Sequence, residues 1–248
     1  KPKVAMFVGG CVRKHLMNEE VDDIDIATSL NPDEIKKKFA DTQIRVIETG
    51  IEHGSLTLIL NKKKFEITSL RKDIKTYGRH AEIVFTDNWQ LDSERRDFTL
   101  NAIYLDRKGK IFDPQLGHSD LKRGVIKFIG DPNKRIEEDY LRILRFIRFA
   151  LQYNHKKFEN STLEAIKLNL NGIKNLSKER ILSELFKILS LKNFYLINKN
   201  EELKNIFSII FPELKYISRL EKLNLMPSEF QLNKLQILSV LLIENSNN

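Results

Sequence analysis

Glycine all but disappears partway along this sequence, and that change limits the folds open to it. Of 10 glycines, only Gly172 lies beyond residue 130. Before that point, short runs rich in β-branched and aromatic residues alternate with helical stretches. After it, Leu, Ile and Lys recur at three- and four-residue spacing. Glycine serves tight turns and weakens helix interiors. The first texture therefore suits a sheet with helices, and the second suits helices alone. The expected fold class is α+β, with one domain over 1–130 and an all-helical part over 131–248. Strands are expected at Val4–Val8, Asp23–Thr28, Ser55–Leu60, Phe65–Leu70 and Val125–Ile129. Asn31-Pro32-Asp33-Glu34 opens a helix: Asn caps, Pro fits the first turn, and the acids suit the positive end of the dipole. Residues 72–93 are polar, with few strand formers beyond Ile83–Phe85, and read as a long mobile loop.

Composition narrows the classes further. At 248 residues, 41% hydrophobic and 31% charged, the chain can bury a real core. No apolar run of about 18 residues occurs, so a membrane span is not expected. One cysteine, Cys11, excludes an intrachain disulfide framework and a cysteine-rich zinc site. His15, His53, His80, His118 and His155 show no zinc spacing and read as structural or surface residues. Lys1-Pro2-Lys3 carries no signal-peptide pattern, so the expected location is cytoplasmic. Lys and Arg number 42 against 34 acids, a net +8. That balance draws polyanions, although it also serves solubility alone.

Val8-Gly9-Gly10 follows the first expected strand and leads into a helical stretch. Two glycines let the backbone approach a ligand closely, with N–H groups available for phosphate; an ordinary turn explains them too. Arg13, three residues on, can neutralise a phosphate there. The second strand carries Asp22-Asp23-Ile24-Asp25-Ile26. Residues two apart in a strand face one side, so Asp23 and Asp25 point together while Ile24 and Ile26 face the core. Acids are poor strand formers, and like charges this close repel. A hard cation such as Mg²⁺, completing its shell with water and phosphate, would relieve them. The bland alternative is an exposed acidic edge strand.

An apolar strand, Gly-Gly, a gap and Asp-x-Asp on a second strand resembles the DNA polymerase beta superfamily of nucleotidyltransferases. GGCVRKHLMNEEVDDIDIATS looks like the head-domain motif of its class II branch, the CCA-adding enzymes and bacterial poly(A) polymerases. Lys14 stands where that branch commonly has Asp. Glu94-Arg95-Arg96-Asp97-Phe98-Thr99-Leu100-Asn101-Ala102 is similar to the family's RRDFTxNA motif, which contacts the sugar and phosphates of the nucleotide. That role passes to Arg96 and Asp97, and with less support to Asn101; from the residues alone a surface salt bridge would also account for the run. Asp113-Pro114 with Gly117 resembles a segment between head and neck. Glu66, between Phe65 and Ile67, is either a third active-site carboxylate or a salt-bridged strand acid. Tyr77-Gly78-Arg79-His80 also looks familial.

Asp139, Arg142, Arg145 and Arg148 are expected to wind along one helix over Ile136–Phe149. Taken alone they are ion pairs on a solvated face. EDYLRILRFIRFA, however, resembles the family's EDxLRxxRxxRF, whose Asp and first Arg select the incoming nucleotide. A carboxylate accepts from the exocyclic amine of C or A, and a guanidinium donates to the adjacent ring nitrogen. Uracil and guanine present the opposite pattern. The resemblance gives that role to Asp139 and Arg142, and triphosphate or RNA phosphates to Arg145 and Arg148. Ser177 is placed to cap a neck helix that follows it. The resemblance spans about residues 4–190. It implies a head domain with a mixed sheet, a helical neck and body for nucleotide selection and RNA binding, and Mg²⁺ at Asp23 and Asp25. The implied activity is template-independent addition of CCA to the tRNA 3′ end from CTP and ATP. Poly(A) synthesis, partial CC or A addition, and a non-catalytic RNA-binding module are the alternatives.

Overall fold

The structure is a computed structural model that describes residues 4–77, 80–153, 158–223 and 232–243. His155 and the Gly78-Arg79 step of Tyr77-Gly78-Arg79-His80 lie outside them. The chain divides into two compact units, residues 1–131 and 132–248.

The first unit is built on a seven-stranded mixed sheet. Its elements are β1 (Ala5–Val8), α1 (Gly10–Leu16), β2 (Ile24–Thr28), α2 (Pro32–Phe39), β3 (Arg45–Gly50), β4 (Ser55–Leu60) and β5 (Lys63–Ser69). There follow β6 (Arg71–Tyr77), β7 (His80–Phe85), α3 (Trp89–Glu94), β8 (Tyr104–Leu105), β9 (Ile111–Phe112) and α4 (Gly117–Arg123). The sheet order is β3-β4-β5-β2-β1-β8-β9, with only β2 and β5 parallel. Alternation along the strands separates two faces. One buries Ile35, Leu56, Leu58 and Ile67 with Ile26 and Phe39, so α2 covers it. The other packs Met6, Val8, Ala27 and Tyr104 at one end. Helix α2 begins with a full capping box: Asn31 accepts from the Glu34 amide at 2.9 Å, and Glu34 accepts from the Asn31 amide at 2.8 Å.

Four expectations need correction. Residues 72–93 are not a loop: β6 and β7 pair antiparallel as a separate two-stranded sheet, and α3 follows. The polar side chains there concealed a strand pair whose exposed Ile74 and Val84 need little burial. Val125–Ile129 is not a strand. It buries Ile126, Phe128 and Ile129 yet makes only an isolated bridge, Phe98 to Phe128. Strand β3 was not expected. Asp23 precedes β2 rather than lying within it.

The second unit is helical: α5 (Pro132–Glu138), α6 (Leu141–Gln152), α7 (Asn160–Asn169), α8 (Lys178–Leu189), α9 (Glu201–Ile210), α10 (Leu220–Leu223) and α11 (Lys234–Leu242). Helix α6 buries Ile143, Leu144, Phe146, Ile147, Ala150 and Leu151, a stripe at helical spacing. The single helix expected over Ile136–Phe149 is broken at Asp139-Tyr140. Ser177 does hold the N-cap position of α8, but its side chain makes no capping hydrogen bond. Among the described residues no helix is long and apolar enough to cross a membrane.

Candidate active site

The site in the first unit grows from the turn between β1 and α1. Gly9 has φ +74°, a left-handed conformation that a side chain would strain. A Cβ there would lie 3.6 Å from Asp25 Oδ2 and 4.0 Å from Arg96 Nη1. Gly-Gly turn, acidic strand and second motif thus converge on one point. Parallel pairing sets Asp25 opposite Glu66, and antiparallel pairing sets Glu66 opposite Thr57. The Thr57 hydroxyl donates to Glu66 Oε1 at 2.7 Å.

Charge accumulates at this point. Burial pushes the Asp25 carboxyl above the usual carboxylate range; Arg96 opposes that, the Asp23 and Glu66 charges reinforce it, and Arg13 opposes it. Among the described residues no three or more His, Cys, Asp or Glu side chains are grouped to hold a metal by themselves. Asp25 nevertheless feels the charges of Asp23 and Glu66, so carboxylate oxygens gather at this end of the sheet. They fit a hard cation that draws further ligands from water and phosphate.

Arg13 is buried and donates to Asn101 Oδ1, and Asn101 Nδ2 donates to Asp97 Oδ1 at 2.8 Å. These three residues from two motifs form one chain. The Asp97–Thr99 backbone is held by Val125–Ile129, through Ile129 N to Asp97 O at 3.1 Å and Thr99 N to Lys127 O at 3.0 Å. The segment that fails as a strand therefore supports the second motif. Lys14 pairs with Asp22, joining α1 to the lead-in of β2.

Behind Arg96 sits a residue that motif reading missed. Asp92 is fully buried. It accepts from Arg95 Nε at 2.8 Å, Arg96 Nη2 at 3.1 Å and the Tyr104 hydroxyl at 2.7 Å. Burial alone would raise its carboxyl, but Arg96 and Arg95 overcome that and hold it at about 2. The signal was present as an acid three and four residues before two arginines.

In the second unit, Asp139 and Arg142 flank the break between α5 and α6. Asp139 Oδ1 accepts from the Leu141 amide at 3.2 Å, and its Oδ2 accepts from Arg180 Nη2 at 2.8 Å. Arg142 donates to Glu138 Oε2 and to the Arg135 carbonyl. The side-chain partners recorded here for the two expected base readers are thus Arg180 and Glu138. Arg148 pairs with Glu184, whose side chain is only 2% exposed, and lies 4.2 Å from the Phe149 ring centre. Arg145 lies 5.7 Å from the same centre. Arg180, Glu138 and Glu184 were not singled out from sequence: Arg180 and Glu184 lie on another helix, which spacing does not reveal, whereas Glu138 stands four residues before Arg142.

A mixed sheet with a Gly-Gly turn, a buried acid and facing arginines defines a head of the nucleotidyltransferase fold. Residues 5–127 match the Poly A polymerase head domain, and residues 157–218 match the Probable RNA and SrmB- binding site of polymerase A. The chain is 46% identical to the human mitochondrial CCA tRNA nucleotidyltransferase 1 over 186 residues, 74% of this chain and 43% of that one. It is 41% identical to the CCA-adding enzyme of Lactobacillus helveticus, covering 74% of this chain and 45% of that one. The crystal structure of the Bacillus stearothermophilus CCA-adding enzyme in complex with CTP aligns with a TM-score of 0.69 at 32% identity, covering 79% of this chain and 47% of that one. A tRNA nucleotidyltransferase complexed with a primer tRNA and an incoming ATP analog aligns with a TM-score of 0.77 at 26% identity, covering 96% and 71%. The chain belongs to the family of class II CCA-adding enzymes and bacterial poly(A) polymerases. It spans less than half the length of the curated relatives it matches.

Proposed function

We propose that this protein adds C and A residues to the 3′ end of tRNA from CTP and ATP, releasing pyrophosphate. The observation that carries this reading is the convergence of Gly9, Asp25 and Arg96 on one point. A turn open to phosphate, a carboxylate and a cation together suit a nucleoside triphosphate. Similarity to proteins named as CCA-adding enzymes narrows the chemistry to tRNA ends.

Asp23 and Asp25 would hold Mg²⁺, whose charge would relieve the repulsion at the half-buried Asp25. Held there, Mg²⁺ would supply Lewis-acid polarisation for a 3′-hydroxyl and charge stabilisation for pyrophosphate. The chain's own residues do the rest. Gly9 and Gly10 let the backbone approach the triphosphate, and Arg13 and Arg96 offset its charge. Asp97, fixed by Asn101 and the Phe98 amide, accepts from ribose hydroxyls. Asp139 and Arg142 read the base edge, with Arg180 and Glu138 orienting them. Arg145 and Arg148 supply positive charge for triphosphate or RNA phosphates. The division of labour is a catalytic head over 1–130 and a selecting, RNA-binding part over 131–248. A lone, buried Cys11 fits a reducing compartment such as the cytoplasm.

The test is extension of a tRNA transcript lacking its CCA end, with Mg²⁺ and CTP alone, ATP alone, then both. Growth by two residues with CTP and a stop at three with both is expected. A long A ladder with ATP alone would make the protein a poly(A) polymerase. Tight tRNA binding without turnover would make it a non-catalytic module.

A further inference from the structure

The carboxylate of Asp92 has no place in the reading above, yet it is among the most heavily engaged groups in the first unit. It is fully buried, a costly setting for a charge without close partners. Its Oδ1 accepts from Arg95 Nε at 2.8 Å and from the Arg71 amide at 3.3 Å. Its Oδ2 accepts from Arg96 Nε at 3.3 Å, Arg96 Nη2 at 3.1 Å and the Tyr104 hydroxyl at 2.7 Å. Arg96 Nε also donates to the Tyr104 oxygen at 3.2 Å, and the guanidinium lies 5.3 Å from the Tyr104 ring centre.

These contacts take one edge of the Arg96 fork. The remaining arm, Nη1, is the atom that borders Gly9 on the same side as Asp25 Oδ2. A planar guanidinium pinned along one edge has its other arm fixed in direction. Without the pin, a long arginine beside a carboxylate pair would be free to fold onto those acids.

We propose that Asp92 is a positioning residue for nucleotidyl transfer, pinning Arg96 so that its charge is held at Gly9 for the incoming triphosphate. It touches no substrate and acts through Arg96, with Tyr104 as the second support. This inference rests on the nucleotidyltransferase reading, and its test separates the two.

The experiment is steady-state extension of a tRNA transcript lacking its CCA end by the full chain with Mg²⁺, varying CTP. Wild type, Asp92→Asn, Arg96→Lys and the double variant are compared at a temperature where melting curves show each one folded. Asp92→Asn should raise the KM for CTP about tenfold, the scale seen when a supporting partner of a ligand-binding side chain is lost, and should change kcat less. In the Arg96→Lys background the same change should add less than about twofold, because coupled residues are not additive. An unchanged KM in Asp92→Asn, or equal effects in both backgrounds, would overturn the inference while leaving the function standing. No incorporation by wild type would overturn both. Should Asp92→Asn fail to fold, Tyr104→Phe decides: it keeps the ring, removes one support, and should raise KM severalfold only when Arg96 is present. An unchanged KM there would count against the pin.

Discussion

Asp25 has two opposed tasks, and a single substitution separates them. Its carboxylate is half-buried near Asp23 and Glu66, so its ionised form is disfavoured in the fold despite Arg96 and Arg13 nearby. A group whose folded pKa is raised costs stability when it is ionised, above its unfolded value. Asp25→Asn should therefore raise the melting temperature at pH 7. The same change removes a candidate cation ligand worth several kcal/mol in the transition state, so nucleotide incorporation should fall by roughly a hundredfold or more. Melting curves and single-turnover extension on one preparation check both signs. A variant that is less stable than wild type would mean Asp25 is held by contacts that outweigh its burial.

Elements explain why parts of this fold were legible in the sequence and others were not. Helix α2 is announced by Asn31-Pro32-Asp33-Glu34, where local chemistry alone satisfies the first amides, and the capping box forms as that chemistry requires. Strands β4 and β5 carry alternating apolar residues that one sheet face must bury. By contrast, β6 and β7 are polar in sequence and leave Ile74 and Val84 exposed, so pairing rather than pattern makes them strands. Val125–Ile129 has strand composition but gives the Ile129 amide and the Lys127 carbonyl to Asp97–Thr99. The Gly-Gly turn and Asp25 were legible because unusual residues stand where ordinary ones would fold better. Asp92 was not, because an acid in a short helix gives no sign of burial. The break between α5 and α6 was hidden by continuous helical spacing, but Gly172 marks it. A Cβ on Gly172 would lie 2.0 Å from the Tyr140 ring, which stands between Asp139 and Arg142. The only glycine of the second unit thus makes room for the break. Gly172→Ala should destabilise by about 1–3 kcal/mol through overpacking. It should also reduce discrimination of CTP over UTP, since the displaced ring shifts Asp139 and Arg142, the proposed base readers. Denaturant melts with competing CTP and UTP incorporation test this, and unchanged selectivity would detach Tyr140 from nucleotide choice.

At the scale of the whole molecule, a buried carboxylate lies between two cations in each unit. Asp92 lies between Arg95 and Arg96, and Glu184 between Arg148 and Lys187. Burial works against both carboxylates. The arginines win in each case, holding Asp92 at about 2 and Glu184 below its ordinary value. A depressed folded pKa contributes stability that is present above the unfolded value and lost as pH falls through the folded one. For Asp92 the window runs from the ordinary value of 3.8 down to about 2, and the contribution is on the order of 2 kcal/mol. Glu184 begins to lose its share below 4.5. Asp25 acts in the opposite sense, since its protonation relieves the fold as pH falls. In the first unit the relief at Asp25 thus works against the loss at Asp92 as pH falls. Melting curves from pH 7 to 2 should show the destabilisation of Glu184→Gln largest near neutrality and shrinking as wild-type Glu184 protonates. The stabilisation from Asp25→Asn should vanish over the range where wild-type Asp25 takes up its proton. Differences that stay constant with pH would show that these carboxylates contribute by packing and shape rather than by charge.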